Sequence, residues 1–376
     1  MFSSIRGFLN RHKRKFIIGG VIVSSVVFLT RYTQRKLREW QEKEIRMLME
    51  RTKKLQYYES TERSCNQMIS SLTTTLRNSV IKENDTETII NQLKDGSANK
   101  VTSWSQLKVL AITRSTVIIY SYTMLVTFLR IQLNLISGHM YKNTQNMDNT
   151  IGNEVQERYM AVSSYFIYEG VKNLSSFIKS KVEEVTALLA LTKQLTLRDL
   201  EQVFWAITSS VSTDVSRDPV KNCTYYMFQQ EVENRETSTY SKLIDQMLDI
   251  LESEEVQDLM QKNIRSGFAL LIDHVSAYFG DASEIDDVHN ARNGTLFSGE
   301  SSKNTPNLLG ATTSNVSPKF VDVNKTTMAL AKIIPILNGQ IPDNPTSKDV
   351  AADWLQCLIL NNELKMLGAN VYEAVS

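Results

Sequence analysis

A chain of 376 residues with 42 basic and 41 acidic side chains carries a formal net charge of +1, and 42% of its residues are hydrophobic. This is the composition of an ordinary globular protein, and its charge balance implies neither nucleic acid nor a strongly acidic partner for the chain as a whole. Its three cysteines, Cys65, Cys223 and Cys357, form no C-x-x-C and leave one unpaired, which argues against a disulfide framework and suits a reducing compartment.

The first residues read as a membrane anchor. Arg6, Arg11, Lys13, Arg14 and Lys15 form a basic leader over residues 1–15, and the first acid in the chain is Glu39. The apolar run Phe16 to Thr30 follows. As a helix it covers about 22 Å of a hydrocarbon layer roughly 30 Å thick. Lys15 and Arg31 can snorkel and Tyr32 can sit at the interface, so residues 16–33 suffice for one span. A secretory signal peptide shares the basic and apolar regions, but no small-residue cleavage site follows. Instead Arg31, Gln34, Arg35 and Lys36 run on into a helical pattern.

Residues 34–376 are expected to form a single large bundle of long helices, making the chain all-α behind its anchor. No proline occurs before Pro219, and breakers are few throughout. Opposite charges four apart, such as Glu39 with Lys43 and Glu42 with Arg46, lace the first shaft. Cys65, Met68, Ile69, Leu72, Leu76 and Val80 then mark an apolar stripe at helical spacing. Similar stripes run through Val155, Tyr159, Val162 and Phe166, through Val171 to Leu189, through Tyr240 to Leu251 and through Val256 to Leu271. Ser103 with Gln106 and Thr196 with Asp199 look like helix-start boxes. Val117 to Leu129 is apolar on all sides, yet its four hydroxyl residues and the bracketing Arg114 and Arg130 suit a central buried helix better than a second span.

Residues 281–325, rich in Asn, Ser, Thr, Asp and Gly, are expected to be a mobile loop. A helix from about Ser347 through Trp354, Leu358 and Leu364 closes the chain.

Catalytic signatures are missing: the sequence has no G-x-S-x-G, no phosphate-binding glycine loop, and only four histidines, with His139 and His274 standing alone. Glu254 and Glu255 look like an exposed helix start rather than a catalytic pair. A binding surface is the stronger expectation. Asp85 to Lys94 reads as a short helix carrying Ile89, Ile90 and Leu93 and closed by Gly96, and a loop with Lys100 leads to a helix start at Ser103. Trp104 sits in the first turn. It either plugs the bundle end as core or, with Leu107, Ile90 and Leu93 and a rim of Lys94, Lys100 and Lys108, forms a groove for an acidic amphipathic helix.

Three segments carry a family resemblance: QRKLREWQEKE at Gln34 to Glu44, ERTKKLQYYESTERSCNQ at Glu50 to Gln67, and ITRSTVIIYSYTMLVTFLRIQLN at Ile112 to Asn134. These long, compositionally unusual runs resemble the peroxin-3 family of peroxisomal biogenesis factors. The resemblance implies a single-pass anchor in the peroxisomal membrane, reached directly or through the endoplasmic reticulum, with the bulk of the chain facing the cytosol. It also implies docking of peroxin-19, the soluble receptor for newly made peroxisomal membrane proteins, through its amino-terminal amphipathic helix, with no catalytic activity and no cofactor or metal. The groove roles of the family fall on Trp104 and Leu107 of the W-x-x-L-K motif, and on Leu93, Lys94 and Lys100. The targeting role falls on the leader with Arg11, Lys13, Arg14 and Lys15. A tether that recruits inheritance or autophagy factors through another surface is the alternative the family suggests.

Overall fold

The computed structural model describes residues 2–96, 99–146, 151–228, 239–293, 326–345 and 349–376, and within these the side chains of 2–23, 145–146 and 281–293 are outside the description. The described chain is all-α apart from two three-residue strands. Helix α1 (Phe2–Glu83) contributes to two compact units, 1–60 and 61–376. In the first, side chains from Ser24 onward are exposed except for the half-buried Lys54, Tyr57 and Tyr58. Val26, Phe28 and Leu29, from the proposed span, are 57%, 72% and 59% exposed. The targeting residues Arg11, Lys13, Arg14 and Lys15 lie on helical backbone, with side chains outside the description.

The second unit is built around one helix. α2 (Glu87–Asp95) precedes α3 (Lys100–Asn146), and α3 touches α2, α4 (Asn153–Tyr165), α5 (Val171–Thr186), α8 (Thr239–Leu251), α9 (Glu254–Asn293), α10 (Leu330–Gly339), α11 (Val350–Leu360) and α12 (Asn362–Val375). The connecting elements are β1 (Gln194–Thr196), α6 (Leu197–Thr213), α7 (Cys223–Met227) and β2 (Thr327–Ala329). The strands pair antiparallel with Leu195 opposite Met328. Every residue of Val117 to Leu129 is buried, and the helix that contains it, long and apolar enough to cross a membrane, is 89% buried over its most apolar window and forms the bundle core. An all-round apolar helix requires neighbours on every side, and α3 has them.

The expected stripes face that core. Cys65, Ile69, Leu76 and Val80 of α1 are fully buried, with Met68 and Leu72 packed at their edge. Thr196 and Asp199 form a reciprocal capping box at the start of α6. Ser253 Oγ accepts from Val256 N–H at 3.4 Å, so Glu254 and Glu255 do open a helix, α9. Cys65 and Cys223 are free, and burial pushes both thiols up to about 12, which keeps them unreactive.

Four expectations need correction. Ser103 does not start a helix: Asn99 does, its Oδ1 accepting from Val101 N–H at 3.1 Å, and Ser103 is buried one turn inside α3. Lys100 is therefore the first residue of α3 rather than a loop residue. Residues 281–293, expected as loop, are helical because α9 continues to Asn293; residues 294–325 lie outside the description. The final helix is two helices. Asn361, at φ −61 and ψ 118, leaves the helical region and its side chain caps α12 by accepting from Glu363 and Leu364 N–H at 2.7 and 3.3 Å, while Ser347 lies outside the description.

The polar edges of α3 are held by buried arginines. Arg130 pairs with Glu62 at 2.7 Å and donates to Ile359 O at 3.0 Å, and Arg114 pairs with Asp343 at 2.9 Å. Arg77 of α1 pairs with the fully buried Asp349 at 2.6 Å and donates to Pro342 O. Each guanidinium presents several fixed donors, so it can satisfy backbone carbonyls and a carboxylate together.

Candidate functional groove

The walls of the candidate site start from local signals. Asp85 Oδ1 accepts from Glu87 N–H at 2.9 Å and Thr88 N–H at 3.2 Å, capping α2. The Thr88 hydroxyl and these backbone donors hold the Asp85 carboxyl below its ordinary value of 3.8, the hydroxyl most strongly. At the other end Gly96, at φ 65, takes the left-handed conformation that ends a helix and turns the chain toward α3. No residue of α2 is fully buried; Ile89, Ile90 and Leu93 are half-buried against the core. The short helix thus lies on the bundle by one apolar edge.

Between α2, the first turns of α3 and the end of α10 runs a groove of about 480 Å³ lined by Ile90, Leu93, Lys94, Lys100, Trp104, Leu107, Pro335, Asn338 and Gly339. Leu107 is 3% exposed and forms floor; Trp104 is half-buried, with one part against the core and the rest open to the groove. Lys94 and Lys100 are exposed at its margin. Six of the seven residues expected at a binding groove are therefore brought together. The arrangement offers an apolar trough with cationic margins, suited to the apolar face of a helix whose flanks are acidic.

Lys108 is the exception. It is 6% exposed and points away from the groove, donating to Thr186 O at 2.8 Å and Leu189 O at 3.1 Å. Burial lowers its pKa. Its spacing of one turn from Trp104 suggested a rim position, and the two lie only about 40° apart around α3, but the long Lys108 side chain runs to the carbonyls at and beyond the end of α5. Conversely, no local pattern points to Pro335, Asn338 and Gly339 as part of the wall. They follow Trp104 by more than 200 residues, and α10 runs on through Pro335 instead of breaking there as a proline in mid-pattern would suggest.

A second, open concavity of about 570 Å³ lies along α5 and α6, lined by Lys181, Glu184, Trp205, Ala206, Ser209, Ser210, Thr213 and Asp214, with Trp205 71% exposed. Among the described residues no group of three or more His, Cys, Asp or Glu side chains converges as a metal site. His139 meets Gln246 at 2.8 Å and His274 meets Asp353 at 3.1 Å, both as single surface contacts.

The sequence model of the Peroxin-3 family matches residues 7–103 and 138–374. Ile90, Leu93, Lys94, Lys100, Pro335, Asn338 and Gly339 fall inside the matched segments, whereas Trp104 and Leu107 fall in the intervening stretch. Peroxisomal biogenesis factor 3 of Homo sapiens and its namesake in Mus musculus are each 30% identical to the chain over 402 and 403 residues, covering 100% of this chain and 98% of theirs. Peroxisome biogenesis protein 3-1 of Arabidopsis thaliana is 22% identical over 312 residues, covering 74% of this chain and 85% of its own. A helical bundle organised on a buried α3, a match along both flanks of that helix, and mammalian relatives aligned over 98% of their length lead to one assignment: the chain belongs to the Peroxin-3 family of peroxisome biogenesis factors.

Proposed function

We propose that the chain is a docking factor of the peroxisomal membrane that captures the cargo-loaded receptor peroxin-19 in the groove of α2, α3 and α10, and that it carries no catalytic chemistry. The observation that carries this reading is the juxtaposition of a half-exposed Trp104 over a buried Leu107 with Lys94 and Lys100 at the margin of one trough. A disordered receptor segment would fold as its apolar side enters the trough, while the lysines attract its acidic flank. The ordering penalty keeps capture reversible, as a carrier that must leave after delivery requires. Membrane attachment rests on the basic leader and on the exposed apolar side chains from Val26 to Leu29, which suit lipid contact. The bulk of the chain would then face the cytosol.

The test is a titration of the chain with the amino-terminal helical segment of peroxin-19, wild type against Trp104→Ala. Tight binding that the substitution abolishes with unchanged helical circular dichroism supports the reading. Absence of binding by well-folded wild type refutes it. A tether for inheritance or autophagy factors has one observation behind it, the exposed Trp205 concavity. On that reading Trp205→Ala removes the function and Trp104→Ala leaves it intact.

A further inference from the structure

Two walls of the groove meet at a residue outside it. Arg114 lies ten residues beyond Trp104 on α3, about 15 Å along the helix axis, and is 1% exposed. Its Nε and one terminal nitrogen donate to Asn84 O at 3.2 and 3.0 Å, while the other terminal nitrogen donates to Ile341 O at 3.1 Å and to Asp343 at 2.9 Å. Asn84 is the joint between α1 and α2: its own amide N–H still closes the last turn of α1 on Val80 O, and Asp85 beside it caps α2. Ile341 and Asp343 belong to the segment that leaves α10 just after Asn338 and Gly339. The carboxylates of Asp85 and Glu87, at the start of α2, also lie within the field of the guanidinium.

Resting on the docking reading above, we propose that Arg114 is a positioning residue of the groove, a buried fork that holds the root of the α2 wall and the root of the α10 wall in one frame, alongside the Arg77 contact to Pro342 O, and so sets the width of the trough. The geometry needs an arginine. One planar group here reaches a carbonyl on one side and a carbonyl with a carboxylate on the other, whereas a lysine ammonium is a point charge that cannot span both. α2 has no fully buried residue, and α2 and α10 each pack on α3. Their spacing therefore depends on what each shares with α3.

The test uses the full chain in detergent micelles and two readouts, amide hydrogen exchange and affinity for the peroxin-19 peptide. In Arg114→Lys, exchange should quicken together in α2 and α10 while α8 and α9 keep their protection, and the peptide should bind roughly three- to thirtyfold more weakly. Trp104→Ala should lower affinity without altering exchange in either wall. Faster exchange in one wall alone, no change in either, or unchanged affinity overturns the proposal. Wild type that does not bind the peptide refutes the docking reading alone, because the exchange result still decides whether Arg114 couples the walls. Should Arg114→Lys fail to fold, Asp343→Asn replaces it, since that side chain is 37% exposed. Faster exchange in α10 with weaker binding supports the proposal there, and wild-type behaviour in both overturns it.

Discussion

Lys108 Nζ lies 2.8 Å from Thr186 O, so this cation, one turn beyond Trp104, serves the end of α5 rather than the groove. Carbonyls at a helix C-terminus lack partners within the helix, and a buried ammonium supplies donors and favourable charge together. Lys108→Met should therefore lower the unfolding free energy by about 2 kcal/mol, the usual scale for losing a charged hydrogen bond to buried acceptors. Denaturant titration would measure this. Affinity for the receptor peptide should stay at the wild-type value, and a tenfold loss without a change in stability would return Lys108 to the groove rim.

Trp104 and Lys94 should fail differently. Truncating a tryptophan anchor removes about 2 to 4 kcal/mol of binding, roughly 30- to 1000-fold in affinity. Lys94 is exposed at the margin, and on the docking reading it contributes mainly to encounter. Lys94→Glu should slow association several-fold at low salt and approach wild type near 1 M salt, where the screening length falls to about 3 Å. Stopped-flow association at two ionic strengths separates the cases, since the Trp104→Ala defect should persist in salt and appear chiefly in dissociation.

The α2 wall carries its own pH dependence. The folded-state pKa of Asp85 is held below 3.8, first by the Thr88 hydroxyl and then by backbone donors of α2. Its capping contribution is therefore complete above 3.8 and is lost as pH falls through the depressed folded value. Near neutral pH, Asp85→Ala should reduce protection of the Ile90 and Leu93 amides by about 1 kcal/mol, the typical value of an N-cap. On acidification below 3.8 the wild type should converge on the variant. A gap between the two that widens on acidification would rule out the carboxylate as the cap.

Most of the fold was legible because its signals are local. The stripe from Cys65 to Val80, the box of Thr196 with Asp199 and the all-round apolar run of Val117 to Leu129 each state an element and its buried face within a few turns. The α2 and α3 walls of the groove were legible for the same reason, since Ile90, Leu93 and Trp104 lie within fifteen positions of one another. The α10 wall was not, because Pro335 and Asn338 reach the groove by a return across the bundle that no spacing encodes. Arg114 and Arg130 were read only as brackets of a short apolar run, although their full burial makes them the polar fasteners of the core. The split between α11 and α12 was also missed: Asn361 interrupts an otherwise continuous apolar pattern, and a capping asparagine looks like any exposed polar residue until its φ and ψ are known.

Gly170 closes a π-helical turn, Phe166–Gly170, between α4 and α5, and a Cβ placed there would lie 2.0 Å from Tyr226 O. The additional residue in that turn and the bare glycine surface together admit the backbone of α7, whose Tyr226 is fully buried and donates its hydroxyl to Arg217 O at 2.7 Å. The obstructing atom is a carbonyl oxygen, so relief requires moving α7 itself rather than rotating a side chain. Gly170→Ala should consequently destabilise the protein by about 1 to 3 kcal/mol despite the higher helix propensity of alanine. Thermal unfolding of the variant would measure the loss. A raised melting temperature would mean that propensity outweighs the clash and that α7 is not seated against this turn.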